Sequence, residues 1–265
     1  MNDLDCIIPD PQSNYIDRQH IMRYIFANKF ISDNLNILDV ACGVGYGSYF
    51  LAISNVNSII YGVDISDKAL KIAKKYYICN NVKYIKADVL NMPFEENRFD
   101  LIISFETIEH IKNGSKYLME VKRVLKEEGI FICSTPNKEF TSHPKYHVNE
   151  YLPEEFYLLL QSEFKHVKKY FQFTRAEEYK TVKEKDIRQK GIISGLKKII
   201  PFKKQIKLLI NKFKSQGLND LDIDIDIDIN PFYINGSTSY DFENVTKKNR
   251  PDAIKRILLG VCKDI

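Results

Sequence analysis

Between residues 18 and 135, short apolar runs alternate with segments whose apolar positions recur every three or four residues. Arg18–Ile31 places Ile21, Tyr24 and Ile25 on one face, which predicts a helix. Ile37–Val40 reads as a short strand, followed by a Gly-rich turn and a helical run over Tyr46–Ile53. Ile59–Val63 predicts a second strand and Asp67–Tyr77 a helix, and Val82–Lys86 and Phe99–Ser104 predict the third and fourth strands. A helix is expected around Ile108 and another over Tyr117–Leu125, closed by Gly129 as its C-cap, before a fifth strand over Ile130–Ser134. Strands that are apolar throughout and separated by helices belong to a parallel sheet covered on both faces. Pro153–Glu163 then predicts a helix, Val167–Thr174 a strand and Ile254–Cys262 the closing strand. The fold class expected is therefore α/β, a doubly wound, seven-stranded, mostly parallel sheet.

The stretch between the last two strands is far longer than a hairpin needs. Residues 1–175 and 253–265 are expected to form one domain, with 176–252 as a helical, basic insertion or lid between the last two strands. Charge is uneven there. Lys165–Lys214 holds 16 Lys/Arg against 4 Asp/Glu, whereas Ser215–Val245 holds 7 Asp/Glu and no Lys/Arg. Asp222–Ile229 alternates Asp with Ile, as a half-buried strand or a low-complexity loop would. Ile206, Leu209, Ile210 and Phe213 form an apolar stripe flanked by lysines. It reads as an amphipathic helix packed on the core, or as a basic face for an anionic substrate or a peripheral membrane contact.

For the whole chain of 265 residues the formal net charge is only +4, so a nucleic-acid partner is not expected. The 44% hydrophobic content fits a globular protein, and no apolar run reaches the ~20 residues of a membrane span. Residues 1–10 carry no Lys or Arg and do not read as a signal peptide. Five cysteines, without a C-x-x-C pair, suit a reducing compartment, and the cytoplasm is the expected location.

Candidate chemistry begins after the first strand, at Leu38-Asp39-Val40-Ala41-Cys42-Gly43-Val44-Gly45-Tyr46-Gly47. Gly43 and Gly45 permit a tight turn and close approach of a ligand. Asp64 ends the second strand, 21 residues after Gly43, where a carboxylate can accept both hydroxyls of a ribose. Asp88 follows the third strand, where it can accept from an adenine amino group. The third glycine comes too early for a dinucleotide fingerprint, so a nucleoside without a pyrophosphate fits better.

Asp39, Gly43, Gly45, Asp64 and Asp88, together with Phe99-Asp100-Leu101-Ile102-Ile103-Ser104, resemble the signature of class I S-adenosylmethionine-dependent methyltransferases. The resemblance covers about residues 14–173 and the last strand. It implies a Rossmann-like fold, S-adenosylmethionine as methyl donor, and donor contacts from Asp39, Ala41, Gly43, Gly45, Asp64, Ile65, Asp88, Val89 and Ser104.

Glu106-Thr107-Ile108-Glu109-His110 follows the fourth strand directly. In a helix, positions 106, 109 and 110 would share one face at the sheet edge where α/β folds bind ligands. Two carboxylates and an imidazole suit a divalent cation such as magnesium. The loop after the fifth strand carries His143 and His147, and His147 can reach the same place. The E-x-x-E-H run with a later histidine resembles the metal site of small-RNA 3′-terminal 2′-O-methyltransferases, and in part that of ubiquinone-pathway O-methyltransferases. That resemblance implies Glu106, Glu109, His110 and His147 as metal ligands, with His110 and His147 at the chemistry. A metal-free His110 base and a purely structural helix start stay open beside it. His143, before a proline, reads as a loop residue.

His20–Ala27, Cys42–Ser48 and His147–Phe156 are similar to bacterial methyltransferases encoded with glycan and polysaccharide assembly enzymes. The implied acceptor is a hydroxyl of a sugar, glycan or small polyol, since a vicinal diol can chelate a metal. An RNA 2′-O-methyltransferase and a non-catalytic scaffold are the alternatives.

Overall fold

The computed structural model describes residues 15–141, 145–175 and 253–264. Among the described residues, five α-helices and seven strands follow one another: α1 Tyr15–Asn28, β1 Asn36–Val40, α2 Tyr46–Ser54, β2 Ile59–Asp64, α3 Asp67–Tyr76, β3 Val82–Lys86, β4 Phe99–Phe105, α4 Gly114–Val124, β5 Leu125–Pro136, α5 Pro153–Gln161, β6 His166–Arg175 and β7 Ala253–Lys263. The strands form one sheet in the order β3-β2-β1-β4-β5-β7-β6. β1 to β5 run parallel, and β7 is antiparallel to both β5 and β6. This is the doubly wound, mostly parallel sheet expected. The expected insertion, with its lysine-flanked stripe and Asp-Ile alternation, lies outside the described residues, as does His143.

Each strand feeds two cores because successive side chains point to opposite faces. Ile37, Leu101 and Ile103 pack with Ile21, Leu51 and Leu70 of α1 to α3, while Leu38, Val40 and Ile102 pack with Leu118, Val121, Phe156 and Leu160 of α4 and α5. Local signals set the helix ends. Ser66 caps α3 by accepting from the Ala69 N–H, and Asn113 caps α4 by accepting from the Lys116 N–H. Pro153 opens α5, where its missing N–H costs nothing.

Two expectations are corrected. Gly129 does not cap α4; that helix ends at Val124 and the chain enters β5 at once, with Gly129 inside the strand beside a register shift against β4. Around Ile108 there is a single 3₁₀ turn, Ile108–His110, and not an α-helix.

Gly47 falls, as expected, in the helical run after the glycine turn. It lies in α2, and a Cβ there would come 1.9 Å from Cζ of Tyr24. Its role is to let α1 lie against α2. Gly47→Ala should destabilise the protein by about 1–3 kcal/mol through overpacking. The check is the denaturant midpoint, which should fall at unchanged slope; an unmoved midpoint would mean Tyr24 has room to retreat.

Candidate functional site

The β1–β4 register pairs Val40 with Ser104, so the two central strands leave the sheet side by side. Both exits are bent. Ala41 has φ 55° and Glu106 φ 52°, left-handed values that cost a non-glycine residue roughly 1 kcal/mol or more. Gly43 and Gly45 follow with φ 55° and 84°. A Cβ on Gly43 would meet nothing within 4 Å, whereas one on Gly45 would strike Ala73 and Tyr84. One glycine therefore faces open space and the other faces the core.

Asp64 holds this turn. Its Oδ2 accepts from the Gly43 N–H and its Oδ1 from the Ser66 N–H, both at 2.8 Å. Burial raises its pKa, and those backbone donors pull it back. Two N–H bonds leave each oxygen a lone pair for a further donor. Asp88 is exposed; its Oδ1 accepts from the Leu90 N–H at 2.9 Å. Ile65 is 51% exposed beside Asp64, while Val89 is buried. The open glycine, the spare acceptor positions of Asp64 and the exposed Asp88 fit an adenosyl ligand laid across β1, β2 and β3.

Two residues expected to touch that ligand have buried side chains with partners of their own. Asp39 is fully buried behind the turn, accepting from Tyr24 Oη at 3.0 Å and Ser48 Oγ at 2.6 Å. Ser104 is buried with its Oγ accepting from Tyr117 Oη at 2.6 Å. Neither side chain reaches the open edge; Asp39 braces the turn from below, through α1 and α2.

Burial raises the Asp39 pKa to about 7 against the hydroxyls of Ser48 and Tyr24, which lower it. A folded-state pKa above the unfolded value makes this group favour folding at low pH. That contribution, up to about 4 kcal/mol, is lost as pH rises from roughly 4 to 7. Asp39→Asn should remove this slope. Denaturation of both forms at intervals over that range would show it, and parallel curves would contradict the assignment.

The second half of the site forms at the ends of β4 and β5. Glu109, His110 and His147 bring ligand atoms within 4.8 Å of one another. Glu106 precedes the 3₁₀ turn and stands beside these three, so the helical face expected for Glu106, Glu109 and His110 does not form. His147 arrives through its loop: the Val148 and Asn149 N–H groups both donate to the Glu109 carbonyl, at 2.9 and 3.0 Å.

Two adjacent β5 residues that the sequence reading passed over orient the acids. Ser134 Oγ donates to Glu106 Oε1 at 2.9 Å, and Thr135 Oγ1 donates to Glu109 Oε2 at 3.1 Å. Both are fully buried. Their only sequence signal was position, at the C-terminal end of a strand neighbouring the cluster.

The donor set suits a cation. Glu109 Oε1 and His147 Nδ1 are buried without a hydrogen-bond partner; Glu150 Oε1 lies 3.6 Å from the latter. His110 Nδ1 lies 3.0 Å from the Tyr146 carbonyl, which only accepts, so Nδ1 carries the proton and Nε2 keeps its lone pair. A ring N–H given to a backbone carbonyl is the usual orientation of a metal-binding histidine. Burial and the Glu106 charge raise the Glu109 pKa, whereas burial and His110 lower that of His147. Positive charge placed among them would offset the first shift, and an imidazole held neutral by the second is the form that ligates a cation.

A methyltransferase-domain family model matches residues 31–189. The chain is 32% identical over 106 residues to sterol 4-C-methyltransferase strm-1 of Caenorhabditis elegans, covering 38% of this chain and 31% of that protein. It is 30% identical over 142 residues to the mitochondrial ubiquinone biosynthesis O-methyltransferase of Candida albicans, covering 51% and 42%. The chain thus spans about a third to a half of the curated relatives it matches. Among solved structures, the YcgJ protein of Bacillus subtilis superposes with a TM-score of 0.56 at 18% identity, over 93% of this chain and 99% of that one. A SAM-dependent methyltransferase from Aquifex aeolicus gives 0.51 at 19% identity, over 62% and 87%. These two share the fold.

Proposed function

The chain belongs to the methyltransferase-domain family, and on that premise we propose that it is an S-adenosylmethionine-dependent O-methyltransferase that methylates a hydroxyl of a sugar, glycan or small polyol with the help of a divalent cation. The observation that carries this reading is the convergence of Glu109, His110 and His147 within 4.8 Å, beside the exit of β4 that adjoins the glycine turn. The glycan assignment rests on the resemblance of the His147–Phe156 loop and the N-terminal segment to methyltransferases of glycan assembly. Residues 176–252 are read as an insertion between β6 and β7, and the cytoplasm as the location. Among the described residues Cys42, Cys79, Cys133 and Cys262 form no disulfide, as a reducing compartment favours. Among the described residues no helix is long and apolar enough to cross a membrane.

S-adenosylmethionine supplies a methyl group on a positively charged sulfur, already a good leaving group. Asp64 accepts the ribose hydroxyls while keeping Gly43 in place, and Asp88 receives the adenine end. The turn at Gly43 leaves room for the amino-acid end because nothing projects from it. Glu109, His110 and His147 would hold a divalent cation, whose Lewis acidity would ease loss of the acceptor's hydroxyl proton to water. Thr135 holds Glu109 by Oε2, so that Oε1 stays turned to the cluster. Ser134 does the same for Glu106, whose carboxylate adds negative potential beside the acceptor oxygen. Alignment of that oxygen with the methyl carbon supplies most of the acceleration.

A second reading has support from one observation: His110 is exposed and its Nε2 is free to take the hydroxyl proton directly. Methyl transfer to a panel of sugars, run with and without a chelator, separates the two. Loss of activity with chelator and its return with added magnesium or manganese fits the metal-assisted reaction. Activity indifferent to chelator selects the His110 base, and no transfer to any sugar rejects the acceptor class.

Thr135→Val should weaken manganese binding by about 10–100-fold, the usual effect of removing a group that orients a ligand. Titration calorimetry with manganese alone reads this without relying on turnover. Equal affinity in the variant would leave Glu109 independent of Thr135.

A further inference from the structure

The connection from β3 to β4, residues 87–98, contains no helix, and it carries Asp88. Its first turn is local: the Leu90 N–H donates to Asp88 Oδ1 at 2.9 Å and the Asn91 N–H to the Asp88 carbonyl at 3.0 Å. Directly after that turn the backbone is held by two side chains of α4. Glu120 Oε1 accepts from the Met92 N–H at 2.7 Å. Arg123 donates from Nη2 to the Met92 carbonyl at 3.1 Å and from Nη1 to the Phe94 carbonyl at 2.8 Å. The two side chains also hold each other, Nε to Oε2 at 2.8 Å and Nη2 to Oε1 at 2.7 Å.

This pairing matches the backbone it meets. One amide N–H needs an acceptor and two carbonyls need donors, and a carboxylate forked to a guanidinium presents both. Burial by itself would raise the Glu120 pKa, but the hydrogen bonds from Arg123 and the Met92 N–H bring it below its ordinary value, so the carboxylate is charged at neutral pH. The Met92 and Phe94 side chains are buried in the same core as Leu118 and Val121 of α4. That apolar contact fixes where the loop lies. The hydrogen bonds fix its rotation: with the N–H and the carbonyl of Met92 both claimed, the peptide planes on either side of it are set, and so is the exit of the Asp88 turn. α4 passes straight into β5 at Leu125, so Glu120 and Arg123 lie toward the sheet edge opposite the glycine turn. Their influence on the site runs through the loop.

We propose that Glu120 and Arg123 are positioning residues for the methyl donor: their clasp on Met92 and Phe94 sets the orientation in which Asp88 receives the adenine amino group. The inference rests on the reading of Asp88 as the adenine acceptor and extends the donor site to α4. Selectivity for the base then depends on two side chains that never touch it.

The test is base selectivity, read by titration calorimetry on the full chain with S-adenosylhomocysteine and S-inosylhomocysteine. The second ligand has a carbonyl oxygen where adenine has its amino group. Wild type should prefer the adenosyl ligand about tenfold or more, because the carboxylate accepts from the amino group and repels the carbonyl oxygen. Glu120→Gln and Arg123→Met should each reduce that preference to about threefold or less, with the inosyl ligand within about twofold of its wild-type affinity. Asp88→Ala should abolish the preference, and adding Glu120→Gln to it should change nothing more, since a residue acting through Asp88 has nothing left to orient. Glu120→Gln keeps the side-chain volume and carries the test alone should Arg123→Met fail to fold. Equal weakening of both ligands in the α4 variants, with the preference kept, makes the clasp purely structural and overturns the proposal. A preference that Asp88→Ala abolishes and both α4 variants leave intact overturns this inference alone. A wild type that binds both ligands equally overturns the adenine reading of Asp88 and this inference with it.

Discussion

Replacing His110 by alanine is expected to slow methyl transfer by about 10²–10⁴-fold, the range for losing a group that handles the reacting proton. The ring has one defined orientation, because Nδ1–H is given to the Tyr146 carbonyl and Nε2 is left for the cluster. Whether that lone pair holds a cation or takes a proton, no neighbour can substitute for it: Glu109 is fixed by Thr135, and His147 by its loop. Donor affinity should stay within about twofold, since the substitution lies away from Asp64 and shares no partner with it. The measurement is single-turnover rate together with calorimetric binding of S-adenosylmethionine. A variant that keeps the wild-type rate removes His110 from the chemistry in both schemes.

The second large effect is expected from Asp64→Ala, which should weaken S-adenosylmethionine binding about 100-fold or more. Each hydrogen bond to a charged group contributes about 1.5–3 kcal/mol, and 1.4 kcal/mol corresponds to tenfold in affinity. Two losses combine. The ribose acceptors disappear, and the N–H groups of Gly43 and Ser66 lose the carboxylate that holds the turn against α3. Asp64→Asn, keeping one oxygen and the volume, should fall between wild type and alanine. Calorimetry across the three proteins reads the series, and an affinity indifferent to residue 64 would place the ribose elsewhere. His110 and Asp64 together separate the two halves of the site: one variant loses rate with binding intact, the other loses binding first.

Strand positions were legible because buried parallel strands are short apolar runs between amphipathic helices, so β1 to β5 could be located within a few residues. The antiparallel pair β6 and β7 was legible from its apolar and aromatic residues, even with a long segment between the two strands. What misled was local chemistry read without its tertiary neighbours. Gly129 follows a helical run and looks like a cap, but β4 draws the chain into the sheet as soon as α4 ends. Glu106 sits in a run that could form one helical face. The need to leave β4 beside the glycine turn instead puts its backbone at φ 52°, and helical geometry begins only at Ile108.

The site shows the same division. Glu109, His110 and His147 could be foreseen as a group, because a motif and the strand order bring two distant segments to one edge. Their supports could not: Thr135 and Ser134 carry no pattern of their own, and their hydroxyls acquire a role only when β5 pairs with β4. Asp39 and Ser104 look like ligand contacts in a linear motif, yet the alternation of the strand turns Asp39 toward Tyr24 and Ser48 and Ser104 toward Tyr117. Gly47 was legible as part of a helix, but the need for glycine there shows only when the Tyr24 ring is seen against it.

The most direct measurement is a crystal structure of the full chain grown with S-adenosylhomocysteine and manganese. The account predicts the ribose hydroxyls on Asp64, the adenine end beside Asp88, and an anomalous peak between Glu109, His110 and His147. A nucleoside bound away from the Gly43 turn, or manganese settled on other carboxylates with this cluster bare, contradicts it.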